Sequence, residues 1–257
     1  MNAAEGARYP DLRGKTAVVT GASRGIGAAT AAALAAQGVQ VMLSARDAAA
    51  LSRQVDAIRE AGGTAAFHPA DLMDEGSTAG LLEAAERTFG AVHLVAAIAG
   101  GDGAPSSVME LPPAEFRRIV DANLTSTFVT LKTFLPPMVG RGEGSIVVMS
   151  STSGRIRTPA NPAYGAAKAG LLMLMRQAAA EVAGRGVRIN ALAPGAVLTE
   201  KWEHAPQEIR ERVAAGHPLG RLGTPADIAA AAVFLLSDAS SWVTGATLDI
   251  SGGMVMG

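Results

Sequence analysis

Short apolar runs alternate with longer Ala-rich stretches from one end of the chain to the other. Thr16 to Thr20, Val39 to Ser44, Thr64 to His68, Val92 to Ile98, Ser145 to Ser150, Val187 to Leu192 and Thr247 to Ile250 are short and mostly apolar at consecutive positions. Strands covered on both faces of a parallel sheet have this character, whereas a strand with one wet face alternates. The stretches between them are long enough for crossover helices. The pattern predicts an α/β fold of one domain over residues 1–257, with a doubly wound parallel sheet of about seven strands and helices on both faces. Two segments break the rhythm. Gly100 to Pro113 is rich in Gly, Pro and Ser, and Pro194 to Pro218 carries Trp202, charges and two histidines. Both leave the carboxyl ends of strands, the edge at which open α/β sheets bind ligands.

Composition narrows the classes. The 22 basic and 23 acidic residues are scattered and leave a net charge of −1, which excludes the basic footprint of a nucleic-acid binder. With no cysteine there is no disulfide framework, thiolate metal site or cysteine nucleophile, and a reducing cytoplasmic setting is expected. No apolar run is long enough to span a bilayer, so no membrane partner is expected. Met1 to Pro10 lacks the basic start and apolar core of a secretory signal, and residues 1–12 read as a loose tail. His68, His93, His204 and His217 show no ligand spacing and read as incidental, with no metal.

The first strand runs into Thr20, Gly21, Ala22, Ser23, Arg24, Gly25, Ile26 and Gly27, and then into an Ala-rich helix. Glycines let the backbone turn sharply and approach a ligand closely. A helix N-terminus offers free N–H groups and a positive dipole end, which suits a pyrophosphate. Farther along, Tyr164 and Lys168 stand at i and i+4 on one helix face. A free phenol titrates near ~10, too high for acid–base work at neutral pH. An ammonium ~4 Å away at an effective dielectric of ~20 supplies about 4 kcal/mol, or roughly three pH units, and is expected to draw the phenol toward neutrality. Ser151, at the end of the fifth strand, can hold a carbonyl oxygen beside that phenol.

Thr20-Gly21-x-x-x-Gly25-x-Gly27, Ser151, Tyr164-x-x-x-Lys168 and Asn190-Ala-Leu-Ala-Pro-Gly195 together resemble the short-chain dehydrogenase/reductase family in its compact, Rossmann-like form, and the likeness covers Lys15 to Gly253. The resemblance implies an NADP(H)- or NAD(H)-dependent oxidoreductase acting on a small-molecule carbonyl or alcohol, similar to 3-oxoacyl reductases and secondary-alcohol dehydrogenases. It implies catalytic roles for Asn123, Ser151, Tyr164 and Lys168, with Asn123 helping to hold a proton-relay water and Lys168 also holding the nicotinamide ribose. Its cofactor residues fall at Gly21, Ser23, Arg24, Gly25, Ile26, Gly27, Arg46, Asp71, Leu72, Ala99, Gly100, Tyr164, Lys168, Pro194, Gly195, Val197 and Thr199. It further implies a homotetramer built through the Ala163 to Ala183 helix, its predecessor and the C-terminal segment.

NADP(H) is the cofactor expected. The family's NAD-selecting carboxylate would fall at Ala45, which can neither accept bonds from ribose hydroxyls nor repel a phosphate. Arg46 follows at once and Arg24 lies in the glycine-rich turn, and guanidiniums grip a 2′-phosphate with paired hydrogen bonds. Asp47, the nearest acid, reads as the cap of the next helix. Two departures from the family pattern stand out. Ile98 replaces the asparagine that ties the central strand to its neighbours, a role taken as apolar packing here, and Ser251 replaces the usual Asp before Gly252-Gly253. An enoyl reductase and an NADP-binding sensor or scaffold without turnover are the alternatives; the close Tyr–Lys spacing weighs against the first and the intact Asn123, Ser151, Tyr164 and Lys168 against the second.

Overall fold

The computed structural model describes residues 7–203 and 205–256. Its strands are β1 (Thr16–Thr20), β2 (Gln40–Ser44), β3 (Thr64–Phe67), β4 (Val92–Ala97), β5 (Gly144–Met149), β6 (Val187–Pro194) and β7 (Thr247–Ile250). They form one seven-stranded sheet in the order β3-β2-β1-β4-β5-β6-β7, and every pairing is parallel. All seven apolar runs are therefore strands, within a residue or two of their expected ends.

The alternation of side chains along each strand splits the core in two. Val19, Val41, Leu43, Ala96 and Val147 face one side, against α1 (Gly25–Ala36), α2 (Ala48–Glu60) and α9 (Pro225–Leu236). Val18, Met42, Val95, Ile146 and Val148 face the other, against α3 (Glu75–Phe89), α5 (Ser126–Arg141) and α6 (Pro162–Val182). Both faces are covered, which is why the strands read as unbroken apolar runs.

Helix α4 (Pro113–Val120) passes into α5 through a π-turn at Asp121–Thr125. The segment after β6 is not all loop: α7 (Glu200–Glu203) and α8 (Gln207–Ala215) lie within it. The largely polar surface of α8 has no buried residue, so it gave the sequence no apolar period to show. The tail expected over residues 1–12 is shorter at its inner end. Pro10–Leu12 form a 3-10 turn, Leu12 is buried in the core, and Asp11 accepts a hydrogen bond from the Asp238 N–H. Residues 1–6 and His204 lie outside the described residues. No helix among the described residues is long and apolar enough to cross a membrane.

Candidate active site

The chain leaves β3 at one edge and re-enters the sheet as β4 on the far side of β1, so the strand order reverses between β1 and β4. A crevice opens at the carboxyl ends of strands at such a point. Gly21, directly after β1, has φ +65, and a Cβ there would stand 2.9 Å from the backbone of Ala99, directly beyond β4. Only glycine allows the two strand ends to come this close. Helix α1 begins at Gly25. Its N-cap, Arg24, makes no side-chain cap bond, whereas Asp47, Asp74, Asn161 and Thr224 cap α2, α3, α6 and α9. The first N–H groups of α1 are thus left without a side-chain acceptor from its N-cap, which fits a bound pyrophosphate. The loop after β6 closes the far side: Thr199 Cγ2 lies 3.3 Å from where a Cβ of Gly25 would be.

The other sequence-predicted cofactor residues lie along the same edge. Arg46, after β2, and Arg24 are exposed, and Asp47 caps α2 by accepting from the Ala50 N–H at 3.0 Å. The Ala70 N–H donates to the Ala45 carbonyl at 3.2 Å, which brings the exposed Asp71 and the buried Leu72 beside the end of β2. Gly100 sits over the catalytic candidates: a Cβ on it would stand 2.5 Å from Asn123 Oδ1 and 3.3 Å from Lys168 Nζ. Ser23 lies in the turn before α1, Ile26 and Gly27 in the first turn of α1, Pro194 ends β6, and Gly195 and Val197 follow it.

Ser151 follows β5, and its hydroxyl hydrogen-bonds Tyr164 in the first turn of α6. Lys168 is one turn farther on. It is buried, donates from Nζ to the Met149 carbonyl at 2.6 Å, and has Nζ 5.6 Å from the Tyr164 ring centroid. Burial lowers the Lys168 pKa from 10.5 to about 7. Burial also raises the Tyr164 phenol above its ordinary value; the Ser151 bond opposes this and the negative charge of Asp102 adds to it. The expected depression of the phenol by Lys168 is therefore corrected for the unliganded protein. The i, i+4 spacing sets the ammonium beside the ring, and desolvation acts against the charged forms of both groups.

Asn123 stands in the π-turn and is fully buried. Its Nδ2 donates to the Gly101 and Ile119 carbonyls, both at 2.8 Å, and its Oδ1 accepts from the Gly101 N–H at 3.2 Å. Both Nδ2 hydrogens are committed to protein partners, so the side chain clamps the Gly100–Gly101 backbone. Oδ1, with one bond from the Gly101 N–H, keeps a second lone pair for a water, and the main-chain carbonyl accepts from Thr127 Oγ1. Ile98 packs against the core as expected. The tie between the central strands is made by a residue that sequence reasoning missed: Thr20 Oγ1 accepts from the Ile98 and Ala99 N–H groups at 3.1 and 3.2 Å. Two more were missed. Nothing in the sequence marks Asp102. Asn161, an Asn before Pro at the start of α6, carries a legible cap signal; it accepts from the Ala163 N–H and donates to the Ala104 carbonyl. His217 is not incidental: it is buried and bonded on both ring nitrogens.

A family model described as "Enoyl-(Acyl carrier protein) reductase" matches residues 21–255. The cis-4-hydroxycyclohexanecarboxylate dehydrogenase of Sinomonas cyclohexanicum is 40% identical over 241 residues, 93% of this chain and 96% of that protein. The 3beta-hydroxysteroid dehydrogenase 1 of Eggerthella lenta is 40% identical over 255 residues, 96% of each. The crystal structure of a short-chain type dehydrogenase/reductase from Mycobacterium marinum superposes with a TM-score of 0.90 at 33% identity, covering 96% of this chain and 98% of that one. The chain belongs to the short-chain dehydrogenase/reductase family, whose members are oxidoreductases working with a nicotinamide cofactor.

Proposed function

We propose that this protein is an NADP(H)-dependent oxidoreductase that interconverts a ketone and a secondary alcohol, with Tyr164 as general acid and base. The observation that carries the reading is the Ser151–Tyr164 hydrogen bond at the mouth of the crevice, with Lys168 buried beside it. When bound, the nicotinamide cofactor supplies or accepts the hydride. Ser151 holds the carbonyl oxygen next to the phenol and stabilises the charge that grows on it. Tyr164, kept protonated at neutral pH by burial, gives its proton to that oxygen during reduction and takes it back during oxidation. Lys168 holds its place through the Met149 carbonyl. Asn123 fixes the Gly100–Gly101 backbone over the site.

The named substrates of the two relatives are alicyclic secondary alcohols, and an alcohol of that class is the first candidate here. Preference for NADP(H) is supported by the exposed Arg24 and Arg46, by alanine at position 45 and by the engagement of Asp47 in helix capping. A homotetramer is supported by Phe128 on α5, Met173 on α6 and Leu248 on β7, large apolar side chains 47%, 54% and 38% exposed in the isolated chain. The absence of cysteine supports a cytoplasmic setting.

The test is a panel of alicyclic alcohols with NADP+ and NAD+, and of the matching ketones and an enoyl thioester with NADPH and NADH, followed by nicotinamide absorbance. Turnover of the alcohols and ketones is the expected result. Turnover of the enoyl thioester alone supports the reading that the family model's description favours. Cofactor binding with no turnover on any substrate refutes the enzyme reading in favour of a sensor.

A further inference from the structure

His217 has no place in the hydride-transfer chemistry, yet it is only 3% exposed and both ring nitrogens are engaged. Nε2 accepts from the Ala196 N–H at 3.2 Å, and Nδ1 meets the Val213 carbonyl at 2.8 Å. A backbone N–H can only donate and a carbonyl can only accept. The ring is therefore held as the neutral tautomer with its proton on Nδ1. One glycine makes room for it: a Cβ on Gly195, directly after β6, would stand 2.8 Å from Nε2.

The imidazole joins two elements. On one side is helix α8, through Val213. On the other is the segment from Ala196 to Thr199, which covers the Gly25 turn. That segment is also held by the Gly223 N–H to the Ala196 carbonyl at 2.9 Å and the Leu198 N–H to the Gly223 carbonyl at 2.7 Å. Among the described residues, His217 supplies the side-chain contact to its backbone at Ala196, three residues before Thr199.

We infer that His217 is a positioning residue: it fixes the backbone at Ala196, and through it the Val197 to Thr199 segment, against the cofactor turn, and ties that placement to helix α8. The inference rests on reading the Gly21 to Gly27 turn as the cofactor site.

Two near-isosteres separate the nitrogens. His217→Asn places an amide where Nδ1 stands, keeping a donor for Val213 and leaving Ala196 without an acceptor. His217→Gln places an oxygen near the Nε2 position, where it can accept from Ala196. In the unliganded protein, hydrogen–deuterium exchange over residues 195–200 should speed up about tenfold in His217→Asn and stay within about threefold of the parent in His217→Gln. The Kd for NADPH, read by quenching of tryptophan fluorescence, should rise about tenfold in His217→Asn with kcat changed less than about threefold, and His217→Gln should restore it. Each variant loses one hydrogen bond, so their thermal midpoints should fall alike. A merely structural histidine predicts that exchange and Kd follow the midpoint and are the same in both variants, and that result overturns the inference. If the parent protein binds neither NADPH nor NADH, the cofactor reading fails, while the exchange comparison still decides whether His217 positions the segment.

Discussion

Replacing Lys168 by methionine should stabilise the unliganded protein while impairing catalysis. In the unfolded chain this lysine titrates near 10.5, and burial brings it to about 7 in the folded protein. That gap of about 3.5 pH units corresponds to about 5 kcal/mol at roughly 1.4 kcal/mol per unit. The sign follows from proton counts. Between pH 7 and 10.5 the unfolded chain holds a proton on this group that the folded protein has released, so the stability of the parent protein climbs with pH across that window. Below pH 7 both states are protonated and the full penalty applies. At pH 7 about 4 kcal/mol of it is in force. Methionine keeps the length of the side chain and removes the charge, but the Met149 carbonyl loses its 2.6 Å donor, at a cost of about 1–2 kcal/mol. The net expectation at pH 7 is a gain of about 2–3 kcal/mol, or about 5–10 °C in Tm for a domain of this size.

The assay is thermal unfolding of parent and variant, without cofactor, at pH 7, 8 and 9. The advantage of Lys168→Met should be largest at pH 7 and shrink as pH rises, because the parent recovers what burial of the ammonium cost it. Turnover should fall at every pH. A variant less stable than the parent at pH 7, or an advantage that stays constant with pH, would refute the reasoning. Either result would show that the buried ammonium is compensated in the folded protein.

Tyr164→Phe keeps the ring and removes the transferable proton, so kcat should fall by about two to four orders of magnitude with NADPH binding preserved; near-normal turnover sinks the mechanism. Asp102→Asn removes a charge that raises the Tyr164 pKa, so the rise of alcohol oxidation with pH should move to lower pH, and an unmoved or upward-shifted profile contradicts the assignment. Arg46→Ala should weaken NADPH far more than NADH, and Ala45→Asp should shift preference toward NADH; higher parent efficiency with NADH would show the β2 end to be misread. Light scattering at micromolar concentration should give four times the 26.0 kDa chain mass, and a monomer rejects the role proposed for Phe128, Met173 and Leu248.

The sheet was legible because its physics is one-dimensional. A strand with neighbours and helices on every side must be apolar at successive positions, and Val18, Val19, Val147 and Val148 are. The turn at Gly21 was legible for a similar reason, since few residues tolerate its close approach to Ala99. What stayed hidden depends on contacts across the fold. A π-turn at Asp121–Thr125 changes the register of the α4–α5 helix by a single residue, and no residue type announces it. Thr20 tying Ile98 and Ala99, and His217 reaching Ala196, join positions 78 and 21 residues apart through backbone N–H groups, which leave no trace in composition or periodicity.

Electrostatics at the site was the least legible part, and Tyr164 and Lys168 show why. The sequence gives their spacing, and Coulomb's law with an assumed separation and dielectric turns that spacing into a depressed phenol. It does not give the direction of either side chain or the solvent that each loses. In the structure Nζ points at the Met149 carbonyl, beside the tyrosine ring, and both groups are buried. Desolvation then disfavours phenolate and ammonium together, and a lysine near pH 7 is only half charged at neutrality. The unliganded site is accordingly set to give a proton rather than to take one. Ketone reduction should keep its rate across neutral pH, whereas alcohol oxidation, which needs the phenolate, should rise steadily toward alkaline pH. Ser151 is the protein group that shortens that distance, because its hydrogen bond is the one contact lowering the Tyr164 pKa. A serine that merely held the substrate oxygen would leave the oxidation profile where it is; Ser151→Ala should instead move the rise in oxidation to still higher pH as well as lower its height.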